Sequence, residues 1–106
     1  MSTESETESI TNALTQESFD QLQESADTLS GIIEELSSNY SDDDFKLLKY
    51  SQDLFSVFMQ IDADLAALLH KGGSIYPMVR CMHMKNLIDS RICVLRDHLS
   101  AVTLLG

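Results

Sequence analysis

Apolar residues recur at intervals of three and four through most of this chain. Starting at Phe19, the series Leu22, Ala26, Leu29, Ile33, Leu36 and Tyr40 alternates steps of three and four without a break. That is the spacing of one helical face. The spacing predicts a first helix over about 17–38, its stripe widened only by Ile32. Its outer face carries Glu17, Asp20, Glu24, Asp27, Glu34 and Glu35 and no base. Gly31 sits inside it, at a cost of about 1 kcal/mol against alanine. It either admits a close neighbour or marks a kink.

The stretch from Ser37 to Asp44 interrupts the periodicity. Ser41 or an adjacent aspartate caps the next helix, and Asp43 and Asp44 suit its positive N-terminal end. A second helix is expected over about 43–71. Leu47, Leu54, Phe58, Ile61, Leu65 and Leu68 form its main stripe. Leu48, Phe55 and Leu69 flank this on one side, and Tyr50 and Val57 on the other. Together they cover an arc of roughly 180–200°, wider than the ~100° stripe of a helix packed on one side. His70 and Lys71 followed by Gly72 and Gly73 form a stop signal.

A third helix is expected over about 75–105, with Ser74 as cap and Pro77 in the first turn, where proline is tolerated. Met78, Cys81, Ile88, Ile92, Leu95, Leu99 and Val102 make its main stripe, and Lys85 stands where an apolar residue belongs. Tyr76, Leu87, Val94, Ala101 and Leu105 form a second row. Ile75, Val79, Met82 and Cys93 are apolar again on the back.

These segments define an all-α fold. One proline and four glycines among 106 residues are too few for the turns of a sheet protein. That length allows one domain at most. Residues 1–15, rich in Ser, Thr and Glu, are expected to form a disordered acidic tail ahead of a three-helix domain over 16–106. Short connections make neighbouring helices antiparallel, giving an up-down-up bundle or hairpin array. A turn at Gly72 and Gly73 sets the register of the second hairpin. It brings Asp62 opposite Lys85, an expected buried ion pair that fixes alignment more than it stabilises. The first helix carries a charge of −6 and the third +2. The acidic face of helix 1 is therefore expected to meet Arg91 or Arg96, in this chain or a second copy.

Helices 2 and 3 present more apolar girth than a small bundle hides, and monomers rarely expose a large apolar patch. The surplus is expected to meet another chain through Ile75, Tyr76, Val79, Met82, Leu87, Val94, Leu105, Phe55 and Met59. A bundle of kinked helices that buries several faces is the competing expectation. The net charge of −10 repels nucleic-acid backbones and anionic membranes and attracts a basic partner. No apolar stretch reaches spanning length and no signal peptide is evident, so cytoplasm or nucleus is the expected compartment.

Chemistry-bearing motifs are scarce. Cys81 and Cys93 lie roughly 18 Å apart along one helix, beyond disulfide reach. Cys81 and His83, like Cys93 and His98, diverge around the helix and do not share a metal. None of His70, His83 and His98 accompanies a positioned nucleophile. There is no phosphate-binding glycine loop. No catalysis, cofactor, metal or small-molecule substrate is expected. Thr3 and Ser5 precede a glutamate by three residues and Ser41 precedes three aspartates, which fits acid-directed phosphorylation. The expected function is a non-catalytic helical subunit of a multi-protein or homo-oligomeric assembly. The alternative is a small acidic inhibitor or secretion-type chaperone acting on one target.

Overall fold

The computed structural model describes residues 3–105 in backbone and 6–105 in side chains. Three long helices, α1 (Thr3–Asn39), α2 (Asp42–Ala66) and α3 (Tyr76–Leu105), carry the chain, with one 3-10 turn at Leu68–His70 and no strand among the described residues. The molecule is elongated, 63 × 21 × 17 Å.

Helix α1 begins at Thr3, not near Glu17. Glu6 and Glu8 sit in its first turns, where the helix dipole favours acids. Side chains 6–10 are exposed, Thr11 is the first half-buried residue and Ser18 the first buried one. The boundary expected near residue 15 is thus a change in burial within a continuous helix. The phosphorylation candidates Thr3 and Ser5 have side chains outside the described residues.

Ser41 caps α2: its Oγ accepts the Asp44 N–H at 3.3 Å, and Asp42, Asp43 and Asp44 fill the first turn. The α-helix ends at Ala66, short of the expected Lys71. Beyond it the bonds tighten to three-residue steps, His70 N–H to Ala67 O at 2.9 Å and Lys71 N–H to Leu68 O at 3.2 Å. Gly72 then turns the chain at φ +82°, which a side-chain-bearing residue adopts only under strain.

Helix α3 is the central element. It packs closely along α1, less closely along α2, and α1 and α2 touch little. Hydrogen bonds from Arg91 to Gln52, His83 to Asp62 and Arg80 to Asp64 show α2 and α3 antiparallel. Ser25 meets Asp89, and Tyr40 lies near Leu95 and His98, so α1 and α3 run parallel. Because the α-helix stops at Ala66, α2 and α3 meet about two residues out of the expected register. The Asp62–Lys85 pair does not form. Asp62 pairs with His83, and Lys85 reaches Asp89 one turn along its own helix at 2.6 Å.

The core is built from Leu29, Ile32 and Leu36 of α1, Leu48 and Met59 of α2, and Ile88, Ile92 and Leu95 of α3. Nearer its N-terminus the buried face of α1 is lined by Ser18 and Ser25, small enough to let α3 approach. Each serine is satisfied: Ser18 Oγ donates to Leu14 O at 3.0 Å and Ser25 Oγ to Asp89 Oδ1 at 2.8 Å. With α1 on one side and α2 on the other, α3 buries Cys81, Ile88, Ile92 and Leu95, while Met82, Cys93, Val94, Leu104 and Leu105 stay exposed along it.

Candidate interaction surface

The helix with the widest exposed apolar face is α2. Leu48, Phe55, Met59 and Ala63 point at α3 and are buried or half-buried. They lie roughly 100–180° around the helix from the main stripe. That stripe, with its flank Tyr50 and Val57, faces outward. Leu47, Tyr50, Leu54, Val57, Phe58, Ile61, Leu65 and Leu68 are each 53–70% exposed.

Polar contacts with α3 hold α2 in this rotation. Arg91 donates through Nη2 to Ser51 Oγ at 2.9 Å and through Nε to Gln52 Oε1 at 3.2 Å. Its guanidinium lies 5.4 Å from the Phe55 ring centroid, a cation–π distance. Burial lowers the Arg91 pKa from the ordinary arginine value. Farther along, His83 Nε2 is 2.7 Å from Asp62 Oδ2. Arg80 Nε donates to Asp64 Oδ1 at 2.6 Å, and the Tyr76 hydroxyl reaches the same oxygen at 3.3 Å. The Arg80 guanidinium holds the Asp64 carboxyl below the usual carboxylate range. Turning the stripe toward α3 would break all of these at once.

The exposed stripe is large. At roughly 150 Å² per large apolar side chain, eight of them more than half exposed present on the order of 700 Å². The largest apolar patch of an ordinary monomer is about 300–600 Å². At the N-terminal end of α2 the stripe opens into a groove of about 330 Å³ between Tyr40, Leu47, Leu48, Arg91, Leu95 and His98.

A second surface is electrostatic. All seven Lys and Arg residues lie at or after Lys46, and twelve of the 17 acids lie before it. Among the described residues, no base forms an ion pair with an α1 acid. Asp20 and Asp27 accept only from glutamines one turn away, Gln16 at 3.0 Å and Gln23 at 2.8 Å. Arg91, expected against this face, turns to α2 instead because Ser51, Gln52 and Phe55 receive it. Arg96 lines a hollow with Glu24 and, among the described residues, pairs with no acid.

The sequence-derived interface candidates divide. Phe55 and Leu87 pack against the core and Met59 is part of it, so these three are used within the chain. Tyr76 and Val79 are half-buried, while Ile75, Met82, Val94 and Leu105 are exposed. The residues missed as individual candidates are those of the α2 stripe itself, whose facing helical spacing does not determine.

Cys81 is buried, and burial pushes its thiol pKa up; Cys93 is exposed. Among the described residues no group of three His, Cys, Asp or Glu side chains is placed to hold a metal. No described helix is long and apolar enough to cross a membrane. No protein-family model, no curated protein and no solved structure matches this chain.

Proposed function

We propose that this chain is a non-catalytic helix–helix interaction subunit that docks through the outward face of α2. One observation carries this reading: the main apolar stripe of α2, with its flank Tyr50 and Val57, points away from the core. Leaving such a stripe in water costs the hydrophobic free energy that its burial in an assembly would recover. The partner it suits is an amphipathic helix laid along the stripe by its i, i+3 and i+4 anchors. The unpaired acids of α1 favour approach of a base-bearing surface. The same acids support a second reading, an acidic inhibitor or chaperone of one target, whose binding would weaken steeply with salt.

The test combines hydrophobic-dye fluorescence and sedimentation velocity on the purified chain and on Leu54→Asp/Ile61→Asp. The wild type should self-associate or bind dye. The double variant should do neither while keeping its helical circular dichroism. A dye-silent monomeric wild type, indistinguishable from the variant, would refute the docking role.

A further inference from the structure

Resting on the docking role of α2, we infer that its occupant is a second copy of this chain, packed α2 against α2 in an antiparallel pair. The stripe is self-complementary. Its residues, at 47, 50, 54, 57, 58, 61, 65 and 68, are separated by steps of 3, 4, 3, 1, 3, 4 and 3, a series that reads the same from either end. A two-fold axis between Val57 and Phe58 therefore sets apolar against apolar at these eight positions, Leu68 being contributed by the 3-10 turn just beyond α2. Leu47 meets Leu68 of the second copy, Tyr50 meets Leu65, Leu54 meets Ile61 and Val57 meets Phe58. Such an isologous contact closes on itself and forms a dimer, not a filament.

Charge selects the antiparallel direction. Asp43 and Asp44 stand at one end of the stripe and Lys71 at the other. Among the described residues none of the three is in an ion pair. The same axis puts Asp44 level with Lys71 of the second copy. It also sets the N-terminus of each α2 beside the C-terminal end of the other, where the helix dipoles attract. A parallel pair would crowd Asp42, Asp43 and Asp44 of both copies together. The area suffices as well: on the order of 700 Å² per copy approaches the roughly 800 Å² per partner of a standard stable interface.

Sedimentation equilibrium and disulfide trapping test this in a Cys93→Ser background. The chain should have a dimer mass. Leu47→Cys mixed with Leu68→Cys should cross-link on oxidation. Neither alone should, because like positions lie roughly 30 Å apart in the antiparallel pair. Leu54→Asp/Ile61→Asp should be a helical monomer. Cross-linking of Leu47→Cys to itself would overturn the antiparallel arrangement. A monomeric wild type whose dye binding disappears in the Asp variant would overturn the second copy and leave the docking role standing. A dimer indifferent to both aspartates would overturn both.

Discussion

Asp62 and His83 lie 2.7 Å apart across the α2–α3 seam, each about one-third exposed. The partner expected from the turn position, Lys85, serves Asp89 instead. A double-mutant cycle on Asp62→Ala and His83→Ala should return a coupling of about 0.5–1 kcal/mol, ordinary for a partly exposed pair. The cycle on Asp62→Ala and Lys85→Ala should be additive within ~0.3 kcal/mol. Coupling in the second cycle and none in the first would place the helices in the other register.

Gly31 is exposed, and nothing lies within 4 Å of where its Cβ would stand. Within the chain it therefore admits no close neighbour. Gly31→Ala should raise the stability of the isolated chain by about 0.5–1 kcal/mol, read from chemical denaturation. Gly72→Ala should lower it by roughly 1 kcal/mol, because φ +82° strains any side-chain-bearing residue.

Two largely exposed carboxylates should each give the fold a small acid dependence. The Asp64 carboxyl is held low by hydrogen bonding to Arg80 and the Asp89 carboxyl by Lys85, with Ser25 adding to the latter. A group with a lowered folded pKa stabilises fully above its unfolded value, about pH 4 for Asp, and loses that contribution as pH falls through the folded value. The melting temperature should fall below about pH 4, and Asp64→Asn and Asp89→Asn should each flatten that decline. Unchanged slopes in both variants would remove these pairs from the account.

The thiols should separate by burial. A thiol reagent should modify the native chain once, at the exposed Cys93, and reach the buried Cys81 only on unfolding. Peptide mass mapping before and after denaturant reads this directly. Fast native labelling of Cys81 would mean that the packing around the first half of α3 opens.

The helices were legible because period and caps are local. The Ser37-to-Asp44 break, the Ser41 cap and the Gly72 turn all fall where their residues dictate. What the spacing did not reveal is which apolar arc of α2 faces inward. Periodicity marks Leu47, Leu54, Ile61 and Leu65 as one face but is silent about what covers it. That choice is made by long-range contacts, Arg91 on Ser51 and Gln52 and His83 on Asp62, which no local pattern encodes. The same limit explains Arg91, whose positive charge pointed to the acids of α1 but whose place on α3 faces α2. The early end of α2 at Ala66 shows how a shift to 3-10 geometry moves a whole hairpin register.

Denaturant unfolding of Leu54→Ala/Ile61→Ala/Leu65→Ala, at a concentration where the chain is monomeric and beside Leu36→Ala, weighs the α2 stripe against the core. The exposed stripe predicts a loss within about 0.5 kcal/mol per site for the triple variant. The fully buried Leu36 predicts a loss of roughly 2–5 kcal/mol. A loss above about 2 kcal/mol at each stripe position would contradict the account, because the chain would then already be hiding the face proposed for a partner.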